Sequence, residues 1–348
     1  MTEVHETKRI ARAAVIGLGA MGRHHVRIYD SLPNVDLVAV CDMDSTAVER
    51  EVAQRSARGY TDVERMLDEV RPDIVSIVVP TVLHYKMAML AIERGVNVLV
   101  EKPIAISFDE AESMIRSARV AGVHLMVGHI ERFNPAIQEL KRRIDQVGAV
   151  FQVFARRVGP FPDRIHDVGV VIDLASHDID AMNYILDSPV DSLFAMTAKN
   201  LHQTHEDLLV GTMRFRNGVV GALDVNWLTS TKVRELTVVG SNGTFVANYL
   251  TQDLQYFENG SREQEWDNLE SLQRISEGHA IRYHFSKQEP LKVELSQYVQ
   301  SVLEDVDVPA APETAANALS VALAMVESGR TGQLVSPQLL ETLEGNKS

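Results

Sequence analysis

Ala13-Ala14-Val15-Ile16-Gly17-Leu18-Gly19-Ala20-Met21-Gly22-Arg23-His24-His25 is the stretch whose reading decides the fold. A short apolar run ends in glycines spaced G-x-G-x-x-G, and a helix-like stretch follows. In that strand–turn–helix setting each glycine has a task. Gly17 permits the tight turn, Gly19 lets the backbone approach a pyrophosphate, and Gly22 lets helix and strand lie close. Amides at the helix start, around Ala20 and Met21, then face the phosphate charge. Asp42 lies twenty residues past Gly22, at the end of the next apolar run. A carboxylate there accepts hydrogen bonds from a ribose diol. It would repel a 2′-phosphate, and Met43 and Asp44 bring no cation to offset that, so NAD is expected rather than NADP. A structural glycine turn is the bland alternative, which the spacing of the acid disfavours. FAD uses a similar fingerprint, and only the later motifs argue against it.

The alternation continues outward to about Val127. VDLVAVCD, DIVSIVV, VNVLVEKP and VHLMVG are continuous apolar runs, as in parallel strands covered on both faces. Thr61 precedes Glu64 by three and Ser107 precedes Glu110 by three, both capping-box patterns; Gly95 and Gly122 stand where such helices end. The expectation is an α/β chain with a doubly wound parallel Rossmann sheet over residues 1–128. Past Gly128 the pattern changes. Asn134-Pro135 reads as an N-cap followed by proline, predicting a helix to about Gln146. Residues 149–158 read as a strand and 171–186 as a helix. From Asp191 to Phe257 the chain is β-rich, with hairpin signals at Asn217-Gly218 and Asn242-Gly243, and five or six antiparallel strands are expected. Residues 260–285 are poorly patterned. Residues 290–304 and 313–328 return to helical periodicity. Residues 129–348 thus read as a second domain whose C-terminal helices are able to pack back on the first.

A chain of 348 residues has room for two domains, and 45% hydrophobic residues allow a proper core. The net charge of −14 argues against a nucleic-acid partner, which needs clustered Lys and Arg. The lone cysteine, Cys41, lies in an apolar run and reads as a small buried hydrophobe. With no signal peptide and no stretch of ~20 apolar residues, the expectation is a cytoplasmic protein with no membrane partner.

The chemistry is read from three further residues. Removing hydride from a secondary alcohol requires a base for the hydroxyl proton, and histidine suits that near neutrality. Asp173 and His177 stand at i and i+4 of the predicted helix, where the acid can orient the imidazole or bind a neighbouring hydroxyl. Lys102 follows VLVE at a predicted strand end, where such sheets bind ligands, and can stabilise charge developing on the reacting oxygen. Pro103 restricts its backbone. Against these stand a solvated lysine, a surface Asp–His contact and a metal ligand. No His/Cys spacing suits zinc, so no metal is expected.

Together, VIGLGAMGRHH, VVPTVLHY, VLVEKPIA and GVVIDLASHDID resemble the Gfo/Idh/MocA family of NAD(P)-dependent oxidoreductases, over nearly the whole chain. The resemblance implies a Rossmann domain followed by an α/β domain with a large open, mostly antiparallel sheet, often an oligomerisation surface, and so a homo-oligomer. It implies catalytic roles for Lys102, Asp173 and His177, which would also touch substrate. It places Pro80, Thr81, His84 and Glu101, with Lys102, along the cofactor. GHIERFNPAI and RRVGPFPDRIHDVGVVIDLASHDID further resemble the branch of UDP-N-acetylglucosamine 3-dehydrogenases, which implies oxidation of a sugar C3 hydroxyl to a ketone. A nucleotide-sugar diphosphate needs cations, and Arg132, Arg156, Arg157 and Arg164 are the candidates; ion pairing within an acid-rich chain is an equal alternative. A myo-inositol or simple sugar dehydrogenase, a redox-neutral NAD-dependent glycosidase and a non-enzymatic NAD-binding sensor remain as other readings.

Overall fold

The computed structural model describes residues 9–162, 168–260 and 277–340. They divide into two units: one holds the described residues up to Ile130 with Glu289–Leu319 and Leu340, the other those of Glu131–Gln288 with Ser320–Leu339.

The first unit alternates strand and helix: β1 (Ala11–Ile16), α1 (Ala20–Ser31), β2 (Val35–Cys41), α2 (Ser45–Val52), β3 (Arg58–Tyr60), α3 (Val63–Val70), β4 (Ile74–Ile77), α4 (His84–Ile92), β5 (Asn97–Glu101), α5 (Phe108–Ala121) and β6 (Leu125–Gly128). All six strands are parallel, in the order β3-β2-β1-β4-β5-β6. Apolar side chains fill both faces, so Ile74, Val75 and Ile77, like Val98, Leu99 and Val100, are wholly buried. Chain order reverses between β1 and β4, which opens a crevice at the carboxyl ends of the strands, where such sheets take ligands.

The structure corrects two local expectations here. β3 has no apolar run of its own and exists through its pairing with β2. The cap of α3 is Asp62, whose side chain accepts from Arg65 N at 2.8 Å, rather than Thr61. Ser107 caps α5 as expected, accepting from Glu110 N at 3.3 Å. Burial pushes the Cys41 thiol up to about 12, helped by the nearby carboxylates of Asp42 and Asp62, so it is an inert apolar side chain.

The second unit begins with α6 (Pro135–Arg142), capped by Asn134, which accepts from Ala136 N at 3.1 Å. The helix stops short of Gln146, and a 3-10 turn over Ile144–Val147 replaces its end. Then come β7 (Val150–Val158), a π-helical turn (Val171–Ala175), α7 (Ser176–Leu186), β8 (Val190–Ala198), β9 (Leu208–Phe215), β10 (Val220–Asn226), β11 (Val233–Gly240), β12 (Gly243–Asn248), β13 (Asp253–Asn259) and β14 (Glu277–Arg282). These eight strands form one sheet, β14-β13-β12-β11-β7-β10-β9-β8. It is antiparallel except where β10 lies parallel to β7. Both hairpin signals fall on hairpins, β9–β10 and β11–β12, although only Gly218 of those four residues has a positive φ, +88°.

The sheet is two-faced, because successive side chains point to opposite sides. Leu209, Met213 and Phe215 of β9 alternate with solvent-facing Val210 and Arg214. α6 and α7 lie on the buried face. Two helices close the described chain, α8 (Pro290–Glu304) and α9 (Pro312–Thr331). α8 packs on α1 in the first unit with Leu291, Leu295, Tyr298 and Val299 buried, and the Tyr298 hydroxyl donates to His124 O at 3.3 Å. α9 begins in the first unit and ends in the second.

Candidate active site

The glycine loop is built as its spacing requires. Gly17 has φ +95°, and a Cβ there would stand 2.1 Å from Val78 O; one at Gly22 would stand 1.9 Å from Gly17 O. A Cβ at Gly19 would meet nothing within 4 Å, so the loop is open on that side. Gly19 also caps α1 without any side-chain hydrogen bond, leaving first-turn amides, around Ala20 and Met21, for an anion. Asp42 follows β2. Its carboxylate accepts from Leu18 N at 2.6 Å and from Asp44 N at 2.9 Å, which ties it to the glycine loop. A carboxylate offers about four lone-pair sites, so Asp42 retains capacity for ribose hydroxyls. The chain therefore fits a nicotinamide dinucleotide.

The other expected residues of this unit also follow strand ends. Pro80 and Thr81 stand in the turn after β4, where Leu83 N donates to Pro80 O at 2.8 Å. His84 opens α4 and is buried; its Nδ1 lies 2.8 Å from Pro103 O and its Nε2 2.9 Å from Val79 O. Burial pushes this imidazole down toward its neutral form, against the two carbonyls. His84 thus lies between the loop after β4 and the one after β5, and in its neutral form its single N–H donates to one of these two carbonyls.

Glu101 ends β5, nearly buried. His25 Nε2 lies 3.1 Å from its Oε1, and Lys102 N donates to Oε2 at 3.2 Å. Burial alone would raise this carboxyl, but His25 and the Lys102 charge outweigh it and hold it below the usual carboxylate range. Lys102 itself is half-buried, at the carboxyl end of β5, and its bond to Pro103 is cis. His25, wholly buried on α1, thus meets the end of β5 through Glu101, a contact for which the sequence analysis above gave no role. The one signal for it is its place three residues past Gly22, on the helix the fingerprint opens.

In the second unit, Asp173 and His177 do not share one α-helix. Asp173 lies in the π turn, where Ser176 N reaches back to Val171 O, and His177 lies in α7. The segment thus changes from a π turn to an α-helix between the two residues, and such turns are frequent at functional sites. Glu206 holds the start of this segment: its backbone O accepts from Val170 N at 2.9 Å and its Oε1 from Val171 N at 3.3 Å.

The arginines expected to meet a diphosphate are otherwise engaged. Arg132 forms a buried fork on Asp180 of α7, Nε at 2.7 Å and Nη2 at 2.6 Å. Arg157 of β7, also buried, donates to Asp178 at 2.6 and 3.0 Å and to Glu131 at 2.9 Å. Burial works against the Arg157 charge, but these carboxylates push it up and keep it protonated. Arg156 points to the opposite sheet face and pairs with Asp224 across the β7–β10 register at 3.2 Å. Adjacent strand residues cannot face one site, so Arg156 and Arg157 were never equivalent. Arg164 lies outside the described residues. Asp178 and Asp180, unremarked in the sequence, are the wholly buried anchors of α7. Among the described residues no cluster of His, Cys, Asp or Glu is placed to hold a metal, and no helix is long and apolar enough to cross a membrane.

Residues 11–129 match the model of an oxidoreductase family described as an NAD-binding Rossmann fold, and residues 155–336 match that family's C-terminal alpha/beta domain. The chain is 31% identical to a UDP-N-acetylglucosamine 3-dehydrogenase of Acidithiobacillus ferrooxidans over 72% of its own length and 78% of that protein's. It is 33% identical to the scyllo-inositol 2-dehydrogenase (NAD(+)) of Bacillus subtilis over 52% of this chain and 56% of that one. A solved structure of the A. ferrooxidans enzyme superposes with a TM-score of 0.81 at 25% identity, covering 91% of this chain and 97% of that one.

Proposed function

This chain belongs to the Gfo/Idh/MocA family of NAD-binding oxidoreductases, which act on CH–OH groups of sugars and polyols, and from that premise we propose that it oxidises the C3 hydroxyl of UDP-N-acetylglucosamine to the 3-keto sugar. The observation that carries the substrate is the likeness to the A. ferrooxidans enzyme along most of both chains. NAD, when bound, supplies the hydride acceptor. The glycine loop from Gly17 to Gly22 holds its phosphates through backbone amides, and Asp42 takes the ribose hydroxyls. Pro80, Thr81 and the Glu101-Lys102 strand end complete the cofactor side.

Lys102 donates a hydrogen bond to the reacting oxygen and stabilises the negative charge that grows there. His177 takes the hydroxyl proton as the C–H leaves as hydride, so a ketone and a protonated imidazole remain. Asp173 orients His177 or holds a neighbouring hydroxyl. Glu101, kept ionised by His25, fixes the backbone from which Lys102 projects. The reading includes a homo-oligomer formed through the open face of the eight-stranded sheet, and places the enzyme in the cytoplasm, where NAD is supplied.

The test is NADH formation by the purified protein with NAD and UDP-N-acetylglucosamine, myo-inositol or free sugars. NADH growth only with the nucleotide sugar is expected. A signal with inositol alone would transfer the reading to the polyol branch, which the B. subtilis relative favours. His177→Ala should lower kcat by about 10²–10⁴-fold and remove the limb of the pH–rate profile that reports the base. Full turnover at neutral pH in that variant would remove His177 from the role.

A further inference from the structure

Arg234 of β11 lies in register with Arg157 of β7, on the sheet face that carries Leu236 and Val238 inward and on which α7 packs. The two arginines differ in what they touch. Arg157 is saturated by Asp178 and Glu131. Arg234 makes no ion pair among the described residues. Its Nη1 donates to Val158 O at 2.8 Å and Val233 O at 2.9 Å, and its Nε and Nη2 have no partner among them. Burial, then the neighbouring Arg157, push this guanidinium down to about 10, while Asp178, Glu131 and Asp173 act the other way. It is therefore a half-buried cation with unused donors in the surroundings of Asp173.

Lys232 precedes it by two, just before β11, exposed and without an ion pair among the described residues. Gly159, just past β7, rests against both: a Cβ there would stand 3.8 Å from Lys232 Cγ and 4.0 Å from Arg234 Nη1. The backbone at Gly159 thus brings the two cations to one place, in a chain with net charge −14 whose Arg132, Arg156 and Arg157 are all paired. A guanidinium fork matches phosphate oxygens, and a lysine adds a mobile point charge.

We propose that Arg234, assisted by Lys232, is the anion-recognition point of the substrate site, taking phosphate oxygens of a nucleoside-diphosphate sugar. This rests on the nucleotide-sugar reading above and replaces the arginines that the sequence nominated for it.

The experiment is calorimetric titration of the NAD-loaded enzyme with UDP, for the wild type and for Arg234→Gln, Arg234→Lys and Lys232→Gln. The wild type should bind UDP. Arg234→Gln should weaken it by at least about tenfold, which is about 1.4 kcal/mol. Arg234→Lys should recover part of that, and Lys232→Gln, at an exposed position that does not threaten folding, should lose a few-fold. NAD affinity should stay at the wild-type value in all three. Unchanged UDP affinity in both Gln variants, or a wild type that does not bind UDP, overturns the proposal. The two readings fail separately. An enzyme that oxidises only a polyol but binds UDP through Arg234 keeps this site and loses the proposed substrate. One that oxidises UDP-N-acetylglucosamine with an unaltered KM in Arg234→Gln keeps the substrate and loses the site.

Discussion

A buried carboxylate is costly unless its charge is met, and Glu101 is met by His25 Nε2, by the Lys102 amide and by the Lys102 charge. Its depressed titration makes it a source of pH-dependent stability. The unfolded chain, with an ordinary glutamate near about 4.3, binds a proton that the native site refuses. The contribution is therefore complete above about pH 4.3 and is lost as the pH falls through the lower native value. Denaturant unfolding of the wild type and Glu101→Gln at a series of pH values should show a stability gap that is constant near neutrality and shrinks on acidification. A gap independent of pH would mean that Glu101 is not the ionised partner of His25. At this scale the sequence was legible where a backbone constraint writes a residue type directly, as at Gly17 and Gly22. It was silent on His25, because a lone histidine on a helix carries no local mark of the carboxylate 76 positions away that it meets.

The element that carries His177 is fixed by two buried ion pairs, Asp178–Arg157 and Asp180–Arg132. Removing one partner leaves the other charged and buried. Asp178→Asn should thus cost about 3–5 kcal/mol in chemical denaturation. The double change Asp178→Leu with Arg157→Met should recover only part, because Glu131 then loses Arg157 as well. A loss under about 1 kcal/mol for Asp178→Asn would show that the pair is not what anchors α7. The eight residues DLASHDID illustrate the limits of periodicity. They announce a helix, but the choice between an α and a π turn depends on what grips its ends, here Glu206 from thirty-five residues on. Strand pairing is hidden for the same reason: the parallel contact of β7 with β10 joins residues some seventy positions apart, and no short window records it. The apolar runs of β1, β2, β4, β5 and β6 were legible because burial on both faces makes each run self-evident.

For the whole molecule, the eight-stranded sheet presents one covered and one open face. Met196 is 65% exposed and Val210 51%, with Val220 and Phe257 also bare on that side. Exposed apolar side chains at neighbouring strand positions suit a second copy of the same surface. Sedimentation should give a mass that is a multiple of the single chain, and Met196→Asp with Val210→Asp should reduce it to one chain while leaving NAD binding. A wild type that sediments as one chain at micromolar concentration would remove the oligomer from the reading.

The descent of α8 onto α1 also sets a timetable. The strands and glycine loop of the dinucleotide site leave the ribosome first, yet the helix that covers α1, with its buried Tyr298 and the Arg27–Glu289 pair, is made only after the whole second sheet. For most of its synthesis the nascent chain therefore carries a finished cofactor loop on an unfinished core, and a nonsense codon anywhere in the second sheet would cost the first unit as well as the second.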